Sequence, residues 1–159
     1  MDIFRLIGAF AIASCGIGGA YLLNSNAKIA LWQAQGFIDF LRFLRSEVEC
    51  FSMPLPAILS RCPPEILSSC SYRAERSPQT LEDFFERSNI KEEQLRACLD
   101  RFAGSFGRGY RDEQLALCDT YIGEIERIRK KLADQLPARI KVNGVLCVCS
   151  SMAVVVLLI

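Results

Sequence analysis

Histidine is absent from all 159 residues. That removes the commonest general base, the Ser-His and Cys-His nucleophile pairs and the usual nitrogen ligand of zinc. Eight cysteines do not replace it, because none forms a C-x-x-C pair. Those between residues 24 and 141 (Cys50, Cys62, Cys70, Cys98 and Cys118) stand far apart and are expected to be reduced, small apolar side chains. The apolar-polar alternation of a half-buried strand is also missing, which excludes a sheet. Net charge is only +1, from 19 basic and 18 acidic residues, so nothing calls for nucleic acid as a partner. Gly16-Ile17-Gly18-Gly19 lacks the Lys-Ser/Thr of a phosphate loop. Glu82, Asp83, Glu86, Glu92 and Glu93 read as helix first turns and solvated faces. No catalytic residue, cofactor, metal or small-molecule substrate is expected.

The hydrophobic residues, 51% of the chain, are concentrated at its ends. Leu6 to Leu23 and Val142 to Ile159 hold no charged residue, and only Asp2 and Arg5 lie outside the stretch between them. Each run approaches the roughly 20 apolar residues that cross a bilayer, and neither shows a polar face. The expectation is a transmembrane helix over 1–23, a helical-bundle domain over 24–141 and a second transmembrane helix over 142–159. Arg127, Arg129, Lys130, Lys131, Arg139 and Lys141 precede the second run against Asp134 alone, which puts the middle domain in the cytoplasm. Ile12-Ala13-Ser14-Cys15 also has the form of a lipoprotein cleavage box, which would export the domain on a lipidated Cys15. The apolar run continues to Leu23, where a lipoprotein turns polar. Ala11, Cys15 and Gly19, spaced by four, give a small-residue face for packing between spans, with Gly144 as a receiving position.

Within the middle stretch, Asn24-Ser25-Asn26 reads as a cap opening a long helix. Phe37, Leu41, Leu44, Val48 and Phe51 form its apolar stripe, with Asp39, Arg42, Arg45 and Glu49 opposite. Pro54 and Pro56 end that helix or open the next. Residues 60–80 are irregular, and Ser68 to Ser71 reads as loop. Thr80 caps a short helix with Leu81, Phe84 and Phe85. Asn89 with Glu92 has capping-box spacing before Leu95, Cys98, Leu99 and Phe102. Gly104, Gly107 and Gly109 make a turn. A last helix from Arg111 or Asp112 carries Leu115, Cys118, Ile122, Ile125, Leu132 and Leu136, with a kink expected at Pro137. The fold class is therefore all-α, an antiparallel helical bundle between two transmembrane helices.

Glu47-Val48-Glu49-Cys50-Phe51-Ser52-Met53-Pro54-Leu55 is similar to the E-I-x-Y-x-x-T-P-L of the stage III sporulation protein AB family. Phe106-Gly107 with Gln114 resembles that family's L-G-x-x-D-x-x-x-Q, and Lys141 before Gly144 resembles its last-span entry. Cys50, Met53 and Tyr110 depart from the pattern, as does Val148, where a second glycine would stand. The resemblance implies a membrane platform or adaptor of the mother-cell to forespore sporulation channel, related to type II secretion F-type proteins. It also implies docking of a secretion-type ATPase, stage III sporulation protein AA, alongside other channel subunits. Localisation would be the mother-cell or outer forespore membrane, with the soluble domain cytoplasmic. The alternatives are a two-span membrane scaffold of another assembly, or the exported lipoprotein. Candidate protein-binding residues are Glu47, Pro54, Leu55, Gly107 and Gln114, the first three at a rigid helix-to-turn corner that would present a carboxylate beside an apolar side chain.

Overall fold

Helical spacing of apolar residues, punctuated by prolines at the first turns of Leu55–Ser60 and Pro64–Ser69, divides this chain into helices. The computed structural model describes the backbone at residues 2–51, 53–73 and 76–158. It describes side chains at residues 25–51, 53–73, 76–138, 140–142, 145 and 149. Among the described residues there are six helices: α1 (Asp2–Cys50), α2 (Leu55–Ser60), α3 (Pro64–Ser69), α4 (Leu81–Arg87), α5 (Glu93–Ser105) and α6 (Arg111–Leu158). Two compact units can be distinguished, one of residues 29–132 and one of both chain ends, 1–28 and 133–159.

The ends correct the sequence expectation. The two apolar runs are not separate helices; they continue without a break into α1, 49 residues long, and α6, 48 residues long. Asn24-Ser25-Asn26 lies inside α1 and caps nothing. Among the described residues, no helix is long and apolar enough to cross a membrane. Beyond Leu23, α1 takes on Asn24, Asn26 and Lys28, and just before Val142, α6 carries Arg139 and Lys141, so both helices are of mixed polarity. The expected transmembrane helices therefore fall, and with them the membrane platform, its membrane localisation and the two-span scaffold. Side chains of Ala11, Cys15, Gly19 and Gly144, named for packing between spans, lie outside the described residues, as does the proposed lipidation site at Cys15.

In the unit of residues 29–132, α1 is the element the others pack on. Ala34, Phe37, Ile38, Phe40, Leu41 and Leu44 are all fully buried. That band is wider than one helical stripe, because α4 covers Phe40 as well as Phe37. The Phe37 and Phe40 rings meet Phe84 and Phe85 at centroid separations of 4.5 to 6.2 Å, and Tyr72 joins Phe84 at 5.3 Å. Phe51, read as the end of the stripe, lies past the helix and is exposed. On the other side α6 runs antiparallel to α1, with Arg42 paired to Glu126 and Arg45 to Asp119. Leu44 and Ile125 are fully buried in the shared core, which Val48 and Ile122 flank.

The irregular stretch holds a helix that its serines disguised. Pro63 and Pro64 stand at the N-cap and first turn of α3. At its other end Ser71 takes a left-handed φ of 57°, with Ser71 N–H donating to the Ser68 carbonyl and Tyr72 N–H to the Leu67 carbonyl. This is the Schellman arrangement, made by serine where glycine is usual. The end of α3 lies against α1: a Cβ on buried Gly36 would stand 2.7 Å from the backbone carbonyl of Ser69. Helix α4 begins as expected, with Thr80 Oγ1 accepting from Asp83 N–H at 3.1 Å. Helix α5 starts at Glu93, later than the Asn89–Glu92 pattern predicts. The backbone before it is held instead by Gln33 of α1, 1% exposed, which donates to the Asn89 carbonyl at 2.7 Å and accepts from Lys91 N–H at 3.2 Å.

Two substitutions test this packing through the melting temperature of the full chain. Leu44→Ala should lower it clearly, since emptying a buried leucine costs about 2–5 kcal/mol. Arg42→Ala should barely move it, because its pair with Glu126 is half exposed and such pairs contribute about 1 kcal/mol at most. Gly36→Ala should also destabilise, although alanine gains about 1 kcal/mol over glycine in a helix, because the obstacle is main chain. A melting temperature raised by Gly36→Ala would show that α3 does not approach α1 this closely.

Candidate protein-binding surface

A helix ends with carbonyls that have no intrahelical partner, and a nearby cation both satisfies them and suits the negative end of the helix dipole. At the end of α1, Phe51 N–H donates to the Glu47 carbonyl at 2.8 Å. Arg111 serves the next two: its Nε donates to the Val48 carbonyl at 3.2 Å and its Nη2 to the Glu49 carbonyl. Arg111 is the first residue of α6 and lies inside the second family-like segment. One guanidinium thus brings Glu47–Leu55 and Phe106–Gln114 together at one end of the bundle. Arg45 adds a second tie, donating to Asp119 at 2.7 Å and to Glu49 at 2.8 Å.

The turn before α6 is built from the same segment. Gly107 adopts φ 84°, a conformation that favours glycine. Glu113 reaches back to accept from Tyr110 N–H at 3.0 Å, half of a capping box. Gln114 Nε2 donates to the Gly109 carbonyl at 2.9 Å. A Cβ on Gly109 would fall 2.3 Å from the Glu113 carboxylate. Ser105, Arg108, Gly109, Glu113, Gln114 and Leu117 line a shallow groove of about 240 Å³. That is below the roughly 300–1,000 Å³ of small-molecule sites, so the groove suits a side chain rather than a substrate.

The structure gives the five candidate residues different roles. Gly107 and Gln114 shape the turn. Pro54 is exposed and sets the direction into α2, while Leu55 is half-buried against the core. Glu47 is not the open carboxylate expected at the corner: its side chain is 12% exposed and faces Arg61, with Oε2 3.5 Å from the guanidinium Nη1. The apolar surface of this end comes instead from Tyr110, 85% exposed, and from Phe51 and Met53. Sequence reading passed over Arg111 and Arg61. A signal for Arg111 existed: an arginine opening a helix opposes that helix's own dipole, so it is better explained by a partner on another element.

The buried cysteines offer no reactive centre. Burial pushes the thiols of Cys62 and Cys118 up to about 12 and, with nearby Glu124, that of Cys98 to about 11. Burial likewise raises Cys70 well above the ordinary thiol range. Neutral thiols are poor nucleophiles and metal ligands. Among the described residues, no cluster of three cysteine or acidic side chains could hold a metal ion.

The sequence matches the family model of stage III sporulation protein AB over residues 5–159, a span that takes in both segments of this surface. No curated protein and no solved structure matches.

Native alkylation with iodoacetamide near neutral pH should modify exposed Cys50 quickly and leave Cys62, Cys70, Cys98 and Cys118 unmodified until the chain is unfolded. The raised thiols fix the sign at high pH. The folded chain keeps protons that the unfolded chain releases above roughly 8.5, so this stabilisation is complete below that pH and is lost as pH rises towards about 12. The melting temperature should therefore fall across that alkaline range. Rapid native labelling of Cys98 or Cys118 would contradict their burial.

Proposed function

Because the chain belongs to the stage III sporulation protein AB family, we propose that it acts in sporulation by binding another protein at the end of the bundle where Glu47–Leu55 meets Phe106–Gln114. It is not an enzyme, and on this reading its work is recognition. The observation that carries the reading is the Arg111 clasp, which joins the two family-like segments through main-chain carbonyls and leaves Phe51, Met53 and Tyr110 exposed. Exposed Tyr110, Phe51 and Met53 supply aromatic and thioether area of the kind enriched at interfaces. Their backbone is fixed by a helix end, a proline and a hydrogen-bonded turn, which lowers the ordering cost of binding. The partner proposed is the secretion-type ATPase implied by the resemblance, stage III sporulation protein AA.

Tyr110→Asp and Met53→Asp test the surface in the full-length chain. Both positions are exposed, so stability should stay within about 0.5 kcal/mol of wild type. Capture of the ATPase should fall at least tenfold, and spore formation should arrest after engulfment. Trp32→Asp, at another exposed position on α1, should leave both unchanged. Normal capture and normal spore yield in the Tyr110→Asp strain would remove this surface from consideration.

A further inference from the structure

Arg61 occupies its place at the corner poorly. It follows the last residue of α2, and its side chain is 48% exposed. Its Nη1 lies 3.5 Å from Glu47 Oε2, beyond the 2.7–2.9 Å or so of a charge-assisted hydrogen bond. Its second polar contact is with Met53 Sδ, also at 3.5 Å, and thioether sulfur is a weak acceptor. Its guanidinium carbon sits 5.0 Å from the centroid of the Phe51 ring. Underneath, Glu47 Oε2 is buried and, among the described residues, accepts no hydrogen bond. A carboxylate oxygen covered by a cation, yet not bonded by it, is an incomplete site.

We propose that Glu47 and the face of Phe51 form a subsite for a cationic side chain, which Arg61 fills loosely in the free protein and an arginine or lysine of the partner fills in the complex. The proposal rests on the reading of this end as a docking surface and names the chemistry of one contact within it. A carboxylate and an aromatic face together recognise a cation by charge and by the ring quadrupole. An incoming arginine, free of the tether that holds Arg61 at the end of α2, can approach Oε2 to hydrogen-bond distance. Phe51, Met53 and Pro54 are exposed around the subsite, so it opens on the same surface as the proposed interface. Arg61 then acts as a placeholder: it keeps Glu47 compensated when no partner is bound, and competes with the partner's cation.

A placeholder and a purely structural clasp give opposite results when Arg61 is removed. The probe is the capped tripeptide acetyl-Gly-Arg-Gly-amide, with the uncharged citrulline analogue as control, titrated by NMR against the full-length chain. The Arg61→Ala variant should bind the arginine peptide at least threefold more tightly than wild type and should ignore the citrulline peptide. Glu47→Gln should abolish binding. Phe51→Leu, an exposed position where the fold is not at stake, should weaken it severalfold. Equal or weaker binding by Arg61→Ala, or binding that survives Glu47→Gln and Phe51→Leu, would overturn the subsite. Its failure is separable from failure of the docking surface. If Tyr110→Asp abolishes ATPase capture while the peptide shows no dependence on Glu47, the surface stands and the cation subsite does not. If the peptide behaves as expected while Tyr110→Asp captures normally, the subsite stands and the wider surface does not.

Discussion

The last turn of a helix leaves carbonyl groups with no intrahelical partner, and at the end of α1 this chain supplies the donor from a distance in sequence. Arg111 donates to the Val48 and Glu49 carbonyls across 63 and 62 residues. That contact fixes where α6 starts, so the antiparallel register with α1 is set by hydrogen bonds as well as by apolar packing. The ion pairs Arg42–Glu126 and Arg45–Asp119 lie further along the same register. With α6 in place, Cys118 and Ile125 complete the core over Leu41 and Leu44. Arg101 with Glu124 and Lys131 with Gln94 then run α5 antiparallel along α6.

Gln33 plays the matching role away from that end. Buried polar groups are tolerated when they are hydrogen-bonded, and this amide uses both its donor and its acceptor on the backbone between Asn89 and Lys91. The segment entering α5 therefore needs no cap of its own, and α5 starts at Glu93 without a side-chain cap bond. Gly36, nearby on α1, performs the complementary task by omission, since the space beside it belongs to the Ser69 carbonyl. One helix thus positions α3, α5 and α6 through three different devices: missing volume, a side-chain amide and its own orphan carbonyls.

Much of the bundle was legible because apolar residues at steps of three and four declare a buried face whatever they pack against. Phe37, Leu41 and Leu44, then Leu95, Cys98, Leu99 and Phe102, then Cys118 and Ile125 were all read this way and are buried. Phe40 and Ile38 fell outside the stripe because the width of a buried face depends on how many neighbours cover it. Helix α3 was missed because Ser68 to Ser71 combines the end of a helix with a left-handed turn, and both favour serine less than a loop does. The apolar ends were read as spans from composition, whereas among the described residues no helix is long and apolar enough to cross a membrane. At the candidate surface, the two family-like segments were visible, but not their meeting. Arg111 and Gln33 act on atoms tens of residues away, and nothing local announces that.

Arg111, Gln33 and Gln114 share a habit: each bonds to main-chain atoms of its target. A carbonyl or an amide is the same group whichever residue carries it. The side chains at positions 48, 49, 89, 91 and 109 are consequently not what these clasps recognise, although glycine at 109 is constrained for other reasons. The architecture of this end and the chemistry it displays are thereby uncoupled. Cys50, Met53 and Tyr110, the departures from the family-like pattern within these two segments, are exposed and can be exchanged without loosening these main-chain clasps. The face of the corner can therefore change its side chains while the Arg111, Gln33 and Gln114 clasps go on reading backbone.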